Sequence, residues 1–175
     1  MEAGTTPFAG IDASRYRAII GRFATGVTVV TATAMGETRG MTASAFMSAS
    51  LDPPLCVVSV AKRARMHALL MATDRFGINV LADGQEAVAR HFAGKPDPVL
   101  DVPFAVVDGV PVLADASARI LADIAARHDC GDHTLVVGHI NFMAADHRPP
   151  LVYHAGRFGA FASAEDEEAI WLEFW

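Results

Sequence analysis

The sequence predicts a mainly β, antiparallel barrel carrying a few short helices. Three observations lead there. About seven segments are rich in β-branched residues or alternate apolar and polar side chains, with breakers between them at short intervals. Only two or three stretches show helical spacing, and each is short. The chain has 175 residues, 52% hydrophobic and 19% charged, so it can bury one core without disulfides and is too apolar for intrinsic disorder.

The first element is a short helix: Tyr16, Ile19, Ile20 and Phe23 recur at helical spacing behind Asp12, a candidate cap. Gly26 to Ala34 is a β-branched strand, and Gly36-Glu37 with nearby Gly40 supplies a hairpin turn. Met41 to Ser50 alternates as one strand. Met41, Ala43, Ala45, Met47 and Ala49 fall on one face, and Thr42, Ser44, Phe46, Ser48 and Ser50 on the other. Leu51-Asp52-Pro53-Pro54 breaks it, and Leu55 to Val60 is a short buried strand. Arg65 to Met71 is helical, with Met66, Leu69 and Leu70 on one side. Phe76 to Leu81 is a strand, Gln85 to Phe92 a helix, and Gly94 to Pro98 a loop. Arg119 to Arg127, Thr134 to Phe142 and Leu151 to Tyr153 complete the β content. The division expected is a flexible extension over 1–13, a barrel domain over 14–161 and an acidic, aromatic tail over 162–175. In that tail Glu165 to Glu168 precede a segment holding both tryptophans, and it reads as a cover for a subunit surface, a lid or a docking element.

A net charge of -6 argues against a protein that reads a nucleic-acid backbone, and no apolar run is long enough to span a membrane. The first residues lack a basic, then apolar, export pattern, so a cytoplasmic location is expected. Cys56 and Cys130 are too few for a disulfide scaffold. Phosphate-loop, dinucleotide-binding and nucleophile-elbow signatures are missing. His128-Asp129-Cys130-Gly131-Asp132-His133 gathers metal-ligand chemistry, but neighbours on a strand point to opposite faces, so a polar turn presenting a histidine is the expectation and no metal is assigned.

Five blocks then arrive in order: RFATGVTVVTA (from Arg22), GMTASAFMSASLDPPL (from Gly40), RFGINVLADGQEAVARHFA (from Arg75), GDHTLVVG (from Gly131) and PLVYHAGRFG (from Pro150). Together they resemble the flavin reductase family, the small reductases of two-component flavin monooxygenases. The resemblance covers roughly residues 14 to 161 and implies an FMN-binding split β-barrel with Greek-key topology.

A flavin needs a flat slot beside amides and hydroxyls, and small residues let the ring approach the backbone. The resemblance places Thr42, Ala43, Ser44, Ala45 and Ser48 along the ring and ribityl chain, with Thr25 and Gly26 nearby. On pattern alone the same stretch is a half-solvated strand. The flavin phosphate is expected after the strand end at Ser59, Val60 and Ala61, where Lys62, Arg63, Arg65 and His67 cluster. Ala64 and Met66 stand where the family commonly has hydroxyls, which leaves FMN against FAD open. Asn79, Gln85 and Phe92 also match positions near the flavin, although Phe92 reads equally as core and Gln85 as helix surface.

Gly131-Asp132-His133 matches the segment that the family associates with the nicotinamide side, and Tyr153 and His154 are placed near it. His133 is the catalytic candidate, positioned to hydrogen-bond nicotinamide or donate toward reduced flavin; otherwise it orders its turn with Asp132. The implied activity is an NAD(P)H:flavin oxidoreductase, homodimeric, using NADH or NADPH and supplying reduced FMN or FAD to a separate monooxygenase. A flavoprotein that keeps its flavin and reduces an organic substrate, or a carrier without turnover, are the alternatives. No nucleic-acid or membrane partner is expected.

Overall fold

The computed structural model describes residues 10–162. The tail segment with Glu165 to Glu168 and both tryptophans, and residues 1–9 of the leading extension, lie outside the described residues.

Helix α1 (Ala13–Ile20) starts where Asp12 accepts a hydrogen bond from the Arg15 amide. None of its residues is buried, and Tyr16, Ile19, Ile20 and Phe23 stand in solvent. Strands β1 (Thr25–Gly26) and β2 (Thr28–Ala34) follow. The turn into β3 (Glu37–Ala43) is made by Met35 and Gly36, both at positive φ as a tight hairpin requires. Gly40 is therefore inside β3 rather than part of the turn. Its missing side chain is occupied by Phe92, whose ring lies 2.7 Å from where a Cβ would stand.

Strands β4 (Phe46–Leu51) and β5 (Pro54–Ala61) form the next hairpin, with Leu51 opposite Pro54. Helix α2 (Arg65–Ala72) buries Met66, Leu69 and Leu70, as the spacing required. Arg127 donates to the carbonyls of Leu70 and Thr73 at its carboxyl end. Strand β6 (Arg75–Val80) and helix α3 (Glu86–Phe92) fall within one residue of the expected spans, Phe76 to Leu81 and Gln85 to Phe92. A hairpin absent from the sequence reading comes next, β7 (Phe104–Val107) and β8 (Val110–Leu113), turning at Asp108-Gly109. Long strands β9 (Ala118–Cys130) and β10 (His133–Ala145) meet at Gly131-Asp132, and β11 (Leu151–His154) with β12 (Arg157–Ala160) closes the described chain.

Seven strands form one sheet in the order β3-β2-β6-β9-β10-β5-β4. Its two edges, β3 and β4, are consecutive in the chain and joined only by Ser44 and Ala45. The sheet therefore curls back on itself, and the Ser59 amide donates to the Ala45 carbonyl at 3.0 Å, extending the β4–β5 ladder into the join. Inside, Val30, Val58, Phe76, Ile78, Ala122 and Val136 form the main core, with Met41, Ala43 and Phe46 from the two edges packed against it. The sequence of strands across the sheet is not that along the chain, as a Greek-key barrel demands, and the small sheet β1-β11-β12 lies apart from it. Among the described residues no helix is long and apolar enough to cross a membrane.

Candidate functional site

The stretch expected to be one alternating strand is two half-strands meeting at the barrel's join. Met41 and Ala43 end β3 with their side chains against the core, and Phe46 begins β4 in the same way. Two residues between them reverse the alternation. Ala45, Met47 and Ala49, expected on the apolar face, are exposed together with Ser44 and Ser48, while Phe46, expected among the hydroxyls, turns inward. The result is an exposed patch of small residues and serine hydroxyls, open to a flat ligand.

Three further segments flank it. Thr28, opposite Ala43 in the β2–β3 ladder, donates its hydroxyl to the Ala43 carbonyl at 2.7 Å. Just before it stand Thr25 and Gly26, paired with Tyr153 and Val152 of β11. The Thr25 hydroxyl is buried and has no hydrogen-bond partner. Beyond Ser59, Ala61 lies opposite His133 in the β5–β10 ladder. At that end the Asp132 carbonyl accepts from the Lys62 amide at 3.0 Å.

Within the β9–β10 turn, His133 Nδ1 lies 2.7 Å from the Asp132 carboxylate. That contact orients the ring and leaves Nε2 for a ligand. The hydrogen bond from His133, followed by its charge, lowers the Asp132 pKa, so the partner remains a carboxylate below the usual range. Gly131 supplies the positive φ of the turn.

Several of the expected residues are buried or already hydrogen-bonded within the fold. Val60 has no accessible surface and is core. Asn79 is likewise fully buried: its amide donates to the Val29 carbonyl at 2.9 Å and the Thr31 hydroxyl at 3.2 Å, and it accepts from the Leu113 amide at 2.7 Å. It bolts β2, β6 and β8 together. The Thr42 hydroxyl is donated to the Ala89 carbonyl of α3 at 2.7 Å, so it seats a helix. His67 Nε2 is engaged by the Thr134 hydroxyl at 2.9 Å, and Gln85 accepts from the Ala82 amide at 2.8 Å at the start of α3. Phe92 leans on Phe104, with ring centroids 5.9 Å apart, and packs against the second core cluster.

Lys62 is the sharpest case. Its ammonium pairs with Asp129 and donates to the Gly131 carbonyl at 2.6 Å, so it latches the His133 turn. Among the described residues, Arg63 and Arg65 make no ion pair or side-chain hydrogen bond. They flank the start of α2, where Ala64 provides no side-chain cap. Asp129 was visible in the sequence only as part of a metal-like cluster. Among the described residues no group of His, Cys, Asp and Glu converges as a metal site, and both cysteines are free.

Comparison with known proteins places the chain in context. The family model described as flavin reductase like domain matches residues 20–162. An NADH-dependent flavin reductase of a Rhodococcus species is 43% identical over 145 residues, covering 81% of this chain and 82% of that protein. The reductase component of 4-hydroxyphenylacetate 3-monooxygenase from Thermus thermophilus is 40% identical, covering 79% of this chain and 89% of its own. A flavin reductase solved in its native state superposes with a TM-score of 0.84 at 35% identity, over 87% of this chain and all of its own.

Proposed function

We propose, from the premise that this chain belongs to the flavin reductase family, that it oxidises NADH and passes the electrons to a flavin for use by a separate monooxygenase. The observation that carries the reading is the exposed Ser44–Ser48 patch at the barrel's join, beside a buried and unpartnered Thr25 hydroxyl and an oriented His133. Small residues and unsatisfied hydroxyls fit a flat heterocycle rich in carbonyls and ring nitrogens.

A bound flavin would supply the hydride acceptor and a bound nicotinamide the donor, so the redox chemistry belongs to the two cofactors. The chain's own residues position and shield. Ala43 and Ala45 leave room at the backbone, while Ser44, Ser48, Ser59 and Thr25 offer hydroxyls for the ring and ribityl chain. Ala61, Gly131 and Tyr153 border the same space. Arg63 and Arg65 supply cations for the flavin phosphate, with Lys62 fixing the adjoining turn. His133 Nε2 holds the nicotinamide amide or gives a proton toward the reduced product, and Asp132 keeps the ring turned for that task.

The relatives' role as monooxygenase components supports release of reduced flavin to a partner enzyme, in preference to tight retention. A second copy of this chain is the proposed cover for α1 and the residues just after it, where Ile19 is 59% exposed and Phe23 77%; the mass in solution by light scattering should be twice that of one chain. Free Cys56 and Cys130 suit a reducing cytoplasm.

The test is anaerobic rapid mixing of the purified chain with NADH and FMN, FAD or riboflavin. Flavin bleaching matched by NADH oxidation is expected. Binding without bleaching for any of them would leave a carrier in place of an enzyme.

A further inference from the structure

The small sheet β1-β11-β12 ends at β12, whose outer edge pairs with no other strand among the described residues. An open groove of about 550 Å³ runs along the β11–β12 hairpin, lined by Val152, Gly159 and Ala160 and, toward the turn, by His154 and Arg157. In the hairpin register Val152 lies opposite Gly159 and His154 opposite Arg157, so the two basic side chains share one face. Within the turn, the Ala155 amide donates to the Gly21 carbonyl at 2.8 Å, which ties that end of the groove to the residues just after α1. No acidic side chain lines the groove, and among the described residues Arg157, Arg17 and Arg22 make no ion pair.

The chain leaves β12 at Ala160 and runs on into a segment whose chemistry complements this surface. Five carboxylates and no basic residue lie in 165–175, so they account for most of the net charge of -6 and the rest of the chain is close to neutral. Attraction to a local basic face is therefore not opposed by a general repulsion. An unpaired strand edge is itself a template for a further strand. Residues 161–164 supply a loop within the span of about two to five that hairpins use. With that loop Glu165 falls opposite Ala160 and Glu168 opposite Arg157, so Asp166 and Glu168 share the groove face with Arg157 and His154.

We propose that residues 165–168 of this same chain dock along the outer edge of β12, with the Asp166 and Glu168 carboxylates on Arg157 and His154, and so carry the aromatic residues of 169–175 to the carboxyl end of α1. This docking goes beyond the reductase activity and does not depend on it.

Trp171 and Trp175 are the chain's two tryptophans, so tryptophan fluorescence reports this segment alone. Acrylamide quenching of the full chain should be about threefold weaker than that of a synthetic peptide spanning 163–175, because docked rings are shielded on one face. Arg157→Glu, a change on an exposed residue, should bring quenching most of the way to the peptide's value at an unaltered melting temperature, and Glu168→Arg added to it should restore the protection. Asp166→Lys with Glu168→Lys on the wild-type barrel should give the same loss, should Arg157→Glu misfold. Arg157→Cys with Glu168→Cys, in a Cys130→Ser background, should cross-link within one chain on mild oxidation. Peptide-like quenching in the folded wild-type chain, or protection that Arg157→Glu and the lysine pair both leave intact, overturns the proposal. A cross-link joining two chains would give the groove to the segment of a second copy and overturn it equally.

Discussion

Asn79 and Ser44 carry polar side chains on one barrel and have opposite fates. Around Asn79, every polar atom of the side chain is matched: β2, β6 and β8 are stitched by its three hydrogen bonds, and Gly77 lets the Pro111 carbonyl lie 3.0 Å from where a Cβ would stand. Around Ser44, the chain crosses from one sheet edge to the other with its hydroxyls and small side chains facing outward. Both regions are rich in Thr, Ser, Asn and Gly. What separates structure from function here is whether the polar group's partners lie inside the protein, because a buried group without one costs roughly 1–3 kcal/mol.

The contrast can be broken most forcefully at Asn79. Asn79→Ala strands the Leu113 amide and the Val29 carbonyl in the core and should cost about 3 kcal/mol of stability by denaturant titration, with flavin affinity of the folded fraction unchanged. A selective loss of flavin binding at unaltered stability would return Asn79 to the site. In the open region the expected effect is kinetic. His133→Ala should slow flavin bleaching by NADH about 10- to 100-fold while flavin affinity holds; bleaching at the wild-type rate would make His133 a turn residue only.

Lys62→Ala should act more mildly. Because the ammonium is held by Asp129 and the Gly131 carbonyl, its removal should slow reduction about threefold with FMN and riboflavin alike, on the order of 0.7 kcal/mol of positioning. A loss confined to FMN would show instead that Lys62 leaves the turn for the phosphate. The two thiols report the regions without perturbing them. Burial pushes the Cys56 thiol up to about 11 from 9.0, whereas Cys130 is exposed at the end of β9. Native protein should therefore give one fast thiol by reagent titration, Cys130. Since the Cys56 value is raised on folding, the stability it contributes is complete below about pH 9 and is lost as pH climbs through about 11. Fast reaction of both thiols at neutral pH would contradict a closed core.

Much of the architecture was legible because periodicity reports burial. The three buried positions of α2 and the spans of β6 and α3 follow from spacing alone. Alternation could not reveal that the chain changes edges between Ala43 and Phe46, because a period of two continues in the letters while the faces exchange. The β7–β8 hairpin turns at Asp108-Gly109 and holds Pro111 inside β8, where a proline interrupts strand patterning. At the site, the residue types were right and their partners were hidden. Nothing in the spacing of Lys62 and Asp129, or of His67 and Thr134, announces a pairing made by folding β5 and α2 against β9 and β10.

The central claim is that the join between β3 and β4 holds the flavin ring. Ala45→Leu places a larger side chain on the exposed patch, where stability has little at stake, so the variant should melt like the wild type. Flavin titration of the two proteins side by side, followed by quenching of flavin fluorescence, measures the claim directly. A fall in affinity of about tenfold or more at unchanged melting temperature is the result the account predicts. Equal flavin affinity in a fully folded Ala45→Leu protein would contradict it.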